Sequence, residues 1–155
     1  MLVRGESVTL ADGRVVTPDE VMGEARSGRR IVIPGDTAPT EAVRVLAEGA
    51  DVLVHEATFT EAERDRAADT LHSTALQAAE LARDARVKLL ALTHVSPRYF
   101  GPEVLREARE VFPGAVAPRD FDVIEVPFPE RGAPRLVKNG ARPPREQPAT
   151  AVETG

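Results

Sequence analysis

An α/β fold, with helices layered against a sheet, is what the sequence predicts, and three observations predict it. Apolar runs of strand length recur at Ile31-Val32-Ile33, Val52-Leu53-Val54 and Leu89-Leu90-Ala91-Leu92. Each is followed by a segment with helical spacing and recognisable caps or breakers. Strand and helix therefore alternate through the middle of the chain, the order that puts helices against a sheet.

Taken from the start, residues 1–30 alternate short apolar pairs with polar turn material, and Asp12-Gly13 between Val8-Thr9-Leu10 and Val15-Val16 reads as a hairpin. Pro34-Gly35 stops the strand at Ile31-Ile33, and Thr40 caps a short helix from about Glu41 to Glu48, closed by Gly49. Asp51 to His55 is the next strand. Phe59 to Leu71 is charged and shows no clear face, so it reads as loop with some helix. A helix starts at Ser73 or Thr74 and runs to about Ala85, because Ala75, Leu76, Ala78, Ala79 and Ala82 recur at helical spacing. Lys88 to Thr93 makes a third buried strand, and a third helix covers Pro102 to Val111 before Pro113-Gly114. Strands near Val116-Ala117 and at Asp122–Val126 follow. From Arg131 the chain is rich in Pro, Gly and charge without periodicity, which predicts a disordered tail over 131–155.

At 155 residues, 42% hydrophobic, the chain is long enough to bury a core. No apolar run of about 18 residues and no basic-then-apolar leader is present, which predicts no membrane span and a cytoplasmic setting. Zero cysteines exclude thiolate zinc sites and cysteine nucleophiles, leaving His, Asp and Glu as metal ligands. A formal net charge of −5 argues against nucleic-acid binding through bulk charge, though not against a local basic pocket.

Polar clusters stand just beyond the strands, where open α/β sheets place their sites. Asp36, after Gly35, suits a metal ligand and equally suits a turn cap. His94 can bind a metal through one ring nitrogen or merely be hydrogen-bonded. Arg98 and Tyr99 can hold phosphate oxygens, or make a surface ion pair and fill core space. His72-Ser73-Thr74 opens a helix whose free N–H groups attract anions, and His72 there can protonate a leaving oxygen; Thr74 and Gln77 also fit a plain capping box. Glu56 can orient a histidine or simply be solvated.

In combination these clusters are more specific. Gly35-Asp36-Thr37, Val54-His55-Glu56-Ala57-Thr58-Phe59, His72-Ser73-Thr74-Ala75 and Thr93-His94-Val95-Ser96-Pro97-Arg98-Tyr99, in that order, resemble the C-terminal half of ribonuclease Z, the tRNA 3′-end-processing endonuclease family of the metallo-β-lactamase fold. The resemblance implies that residues 1–130 form the C-terminal half of an αββα sandwich. It implies a centre of two zinc ions, with Asp36 bridging them and His94 bound to one. It makes His72 the general acid or a contact to the scissile phosphate, with Glu56 supporting it. Arg98 and Tyr99, together with the Ser73-Thr74 helix start, fall on the substrate side, and the substrate is precursor tRNA. The family's His-x-His-x-Asp-His ligands have no counterpart here. The expectation is therefore a truncated frame or one chain of a split enzyme, catalytic only with an N-terminal half or a second copy, and with one apolar sheet face uncovered. Two other readings stand beside it: a non-enzymatic α/β interaction module, and another hydrolase of the same fold acting on phosphodiesters or sulfate esters.

Overall fold

The computed structural model describes residues 2–23, 28–99 and 101–138. The predicted hairpin is present. β1 (Val8–Thr9) pairs antiparallel with β2 (Val15–Val16). The turn is closed by the Arg14 amide donating to Asp12 Oδ1 at 3.0 Å, with Gly13 at φ +83°, a backbone conformation that glycine adopts without a Cβ penalty. A single turn of helix, α1 (Pro18–Val21), follows.

The centre of the molecule is a parallel sheet of four strands in sequence order: β3 (Ile31–Val32), β4 (Val52–Glu56), β5 (Leu89–Thr93) and β6 (Ala115–Val116). α2 (Glu41–Ala47) links β3 to β4, α3 (Arg64–Asp69) and α4 (Ala75–Asp84) link β4 to β5, and α5 (Gly101–Val111) links β5 to β6. Crossovers between parallel neighbours are right-handed, so successive steps in one direction across the sheet lay their helices on one face. One buried cluster accordingly joins Val43 and Ala47 of α2, Ala75, Ala78, Ala79 and Ala82 of α4, and Val104 and Ala108 of α5 to Val32, Leu53, Leu90 and Leu92 of the strands.

The local signals work as expected. Thr40 caps α2 by accepting from the Val43 amide, and Thr74 with Gln77 forms a full capping box on α4. The segment read as loop with some helix holds a 3-10 turn at Glu61–Glu63 and then α3.

Two expectations are corrected. The opposite sheet face is open only in part: Val52, Leu89 and Ala91 point to it and are buried, whereas Ile31 of β3 and Ile33 just beyond it are 52% and 68% exposed. The apolar surface left open is thus the edge strand, not the whole face. Regular structure also continues past Arg131, because β8 (Arg135–Val137) pairs antiparallel with β7 (Val123–Glu125), and Arg135 Nε and Nη2 donate to Glu125 Oε2 at 2.9 and 2.6 Å. Three residues are too few for periodicity to reveal, and the cross-strand pair that favours β8 is not a local signal. Residues 139–155 of the predicted tail lie outside the described residues.

Leu90 is fully buried between the sheet and the helices. Leu90→Ala is expected to lower the free energy of urea unfolding by about 2–5 kcal/mol, as deletion of a buried leucine side chain does. A loss well under 1 kcal/mol, on the order of a surface change, would mean that the helical layer does not pack on β5 as described.

Candidate metal centre

Three adjacent strands deliver polar groups to one edge of the sheet, at their C-terminal ends. Asp36 and Thr37 follow β3, Glu56 ends β4 with Thr58 just beyond, and His94 follows β5. Two of these exits use left-handed backbone. Gly35 has φ +80°, and His94 itself has φ +51°, which for a non-glycine residue costs on the order of 1–3 kcal/mol. That strained turn directly beyond Thr93 brings the imidazole of His94 back over the strand ends. His72 arrives from the β4–β5 connection, in the loop just before the capped start of α4.

Glu56 organises the group. Its side chain is wholly buried, and its Oε1 accepts from the Thr37 amide at 3.1 Å and from His72 Nδ1 at 2.7 Å. Its Oε2 accepts from the Thr58 amide at 3.0 Å and the Thr58 hydroxyl at 2.7 Å. Burial works to raise the carboxyl's pKa, but donation from the Thr58 hydroxyl and amide, from His72 and from the Ser73 amide outweighs it and holds the group below the ordinary carboxylate range. Glu56 is therefore ionised and acceptor-only.

That charge decides where the protons sit. The Thr58 hydroxyl has one hydrogen, and an ionised carboxylate at 2.7 Å takes it in preference to the His94 carbonyl at 3.2 Å. Thr58 Oγ1 is then an acceptor for His94 Nδ1–H at 2.8 Å. His72 Nδ1–H donates to Glu56, with Thr58 Oγ1 a longer 3.2 Å away. The two imidazoles stack at 5.3 Å between centroids, 17° from parallel, and the Phe59 ring meets His72 edge-on at 6.2 Å. In both rings Nε2 is the nitrogen that these hydrogen bonds leave for chemistry.

Glu56, His72 and His94 each bring one candidate ligand atom within 4.8 Å of the others. Glu56 does not suit a ligand role, because both its oxygens are buried and committed to donors. The pair that does suit an ion is Asp36 Oδ2 and His94 Nε2, which are 3.4 Å apart and half-exposed. Two ligands at zinc bond lengths of about 2.0–2.2 Å on a tetrahedral ion are separated by about 3.4 Å. These residues fit two corners of a zinc site and leave the remaining corners to other donors.

The other expected residues fall in two groups. Ser73 and Thr74 are buried; the Ser73 hydroxyl donates to the Thr37 carbonyl at 2.7 Å and the Thr74 hydroxyl to Glu61 Oε2 at 2.8 Å. Both hydroxyls thus hold the His72 loop rather than facing a substrate. Arg98 and Tyr99 stand farther out, against Glu63. His55 lies on the helix side of β4, fully buried, with Nδ1 on its neighbour's carbonyl at 2.8 Å; burial lowers its pKa and it takes no part in the centre. Thr58 was not singled out by sequence reasoning; the available signal was its position two residues beyond Glu56.

No family profile matches the chain. Over 129 residues, 81% of its length, the chain is 49% identical to the ribonuclease Z of Natronomonas pharaonis, and over 123 residues it is 50% identical to that of Bacillus licheniformis. It covers 42% and 40% of those proteins, so the chain spans about two fifths of the length of the curated relatives it matches. The similarity falls on their C-terminal portion. Among solved structures, the short form of human tRNase Z matches at 34% identity with a TM-score of 0.53, over 74% of this chain and 37% of that one. The metallo-β-lactamase-fold protein YhfI of Bacillus subtilis matches at 26% identity with a TM-score of 0.53, over 56% and 35%.

Two predictions follow from the Glu56 network. Thr58→Val keeps the side-chain shape and removes the acceptor for His94 Nδ1–H; it is expected to weaken zinc binding about 10- to 100-fold in a zinc titration read from the imidazole NMR signals, as loss of a ligand's hydrogen-bond partner does. Thr58→Ser is expected to retain binding, and equal affinity in the valine variant would remove the orienting role. Glu56 has a lowered pKa in the folded chain. Its stabilising contribution is fully present above the unfolded-state value of about 4.3 and is lost as pH falls through the depressed folded-state value. The urea midpoint of the natural chain should therefore drop more steeply on acidification than that of Glu56→Gln. Parallel pH profiles would contradict an ionised Glu56.

Proposed function

We propose that this chain supplies the C-terminal half of the catalytic centre of a zinc-dependent endoribonuclease that removes 3′ trailers from precursor tRNA. The observation that carries the proposal is the pairing of two arrangements at one sheet edge: Asp36 and His94 at the spacing of two zinc ligands, and His72 hydrogen-bonded to the ionised Glu56. Ribonuclease Z relatives and a solved tRNase Z share this region of sequence. In this reading Asp36 and His94 hold zinc, and bound zinc supplies Lewis-acid stabilisation of the phosphoryl oxygens and an activated water.

The protein's own part is proton handling and orientation. Glu56 fixes the ring of His72 by accepting from Nδ1, which leaves Nε2 as the nitrogen that gives a proton to the leaving oxygen. Thr58 sets the ring of His94 so that its Nε2 faces Asp36. The remaining zinc ligands come from a complementary N-terminal half, or from a second copy of this chain, seated along the exposed β3 edge at Ile31 and Ile33. The proposed setting is the cytoplasm, with precursor tRNA as substrate.

The test is complementation. Mixing this chain with the N-terminal segment of a ribonuclease Z relative should restore zinc-dependent cleavage of precursor tRNA. Asp36→Ala and His94→Ala should abolish it, and His72→Ala should lower kcat about 10²- to 10⁴-fold, the usual contribution of a positioned general acid. Restored cleavage indifferent to Asp36→Ala and His94→Ala would overturn the assignment.

A further inference from the structure

Beside the centre, one carboxylate gathers three donors from two separate segments. Arg98 Nη1 lies 3.1 and 3.2 Å from the two Glu63 oxygens, Arg66 Nη1 lies 3.4 Å from Glu63 Oε1, and the Tyr99 hydroxyl donates to Glu63 Oε2. The Tyr99 phenol is raised above its usual pKa by burial and by this carboxylate, so it stays a protonated donor. Glu63 stands at the N-cap position of α3 yet makes no capping hydrogen bond. Its carboxylate serves the cations instead of the helix.

The cluster also has a defined place. The guanidinium carbons of Arg66 and Arg98 lie 5.9 and 5.8 Å from the centroid of the Phe59 ring, whose edge meets His72. Both arginines remain open, with 55% and 43% of their side chains exposed. Two guanidiniums and a phenol around one anion are the donor set that also holds a phosphodiester, since guanidinium N–H groups donate to carboxylate and phosphate oxygens alike.

We propose that Arg66, Arg98 and Tyr99 form a seat for an RNA backbone phosphate next to the scissile one, and that Glu63 fills this seat in the free chain and is displaced when RNA binds. The inference deepens the proposed function and rests on it for the identity of the polymer. It gives Glu63 a definite sign: the residue competes with substrate instead of supporting it. It also explains how a chain of net charge −5 keeps a local phosphate site without a basic surface.

The experiment measures binding of a short single-stranded RNA, and separately of inorganic phosphate, to the natural chain and to Glu63→Gln, Arg66→Ala and Arg98→Ala. Binding is read from the side-chain NMR signals of the arginines and from fluorescence anisotropy of labelled RNA. Glu63→Gln should tighten RNA about three- to fivefold, the scale of an exposed ion pair. Each arginine variant should weaken RNA and flatten the salt dependence by about 0.7–1 in logarithmic slope. Unchanged or weaker RNA binding in Glu63→Gln would overturn the proposal, because Glu63 would then be positioning Arg98. A response to inorganic phosphate but not to RNA would overturn the backbone assignment. In the complemented enzyme, arginine variants with an unchanged KM would sink the seat and leave the proposed function standing. RNA-responsive arginines without any tRNA cleavage would do the reverse.

Discussion

The centre depends on one buried negative charge. An ionised carboxylate removed from water is costly unless donors surround it, and Glu56 has donors from three separate segments: the Thr37 amide beyond β3, the Thr58 amide and hydroxyl beyond β4, and His72 before α4. Hydrogen bonds to a charged group are each worth about 1.5–3 kcal/mol. Satisfying this charge therefore ties together three loops, two of which also meet in a parallel β-bridge between Phe59 and Thr74. Asp36, one residue before Thr37, and His94, held by Thr58, take their places as a consequence.

The helical layer supports the same loops from the other side. Glu107 on α5 accepts from the amides of Glu61 and Leu76 at 3.0 Å, tying the turn before α3 and the start of α4 to the third crossover helix. Burial raises its pKa, partly offset by those amides. The Thr74 cap and the Ser73 hydroxyl then hold the loop carrying His72 against Glu61 and the Thr37 carbonyl. Packing of an alanine-rich α4 against β4 and β5 is thus what turns helix-start chemistry into a precise place for an imidazole. His94 is one of four described non-glycine residues with left-handed backbone, and it stands where a side chain must be aimed back across the sheet edge.

Legibility in the sequence followed the range of the interactions. The caps at Thr40 and Thr74, the Asp12-Gly13 turn and the alternation of strands and helices were readable because each depends on residues a few positions apart. Asp36, Glu56, His72 and His94 were readable as strand-end or helix-start groups, and their order carried the family resemblance. Their distances were not readable. Thr58 meets His72 and His94 across 14 and 36 positions, and Glu63 meets Arg98 across 35, so neither partner leaves a local pattern. The opposite fates of His55 and Glu56 were hidden for another reason: β4 is buried on both faces, and a strand buried on both faces shows no polar alternation. Ser73 and Thr74 looked available to a substrate because a helix start is normally open; packing closed it.

The central claim is that an ionised Glu56, acting directly and through Thr58, presets both rings with Nδ1 protonated and Nε2 free. Long-range proton–nitrogen correlation spectra of the imidazole rings, recorded near neutral pH without metal, test this most directly. The account predicts that the neutral forms of His72 and His94 both carry their proton on Nδ1. Nε2-protonated rings at either position would contradict it, because Nδ1 would then have no proton to donate to Glu56 from His72 or to Thr58 from His94.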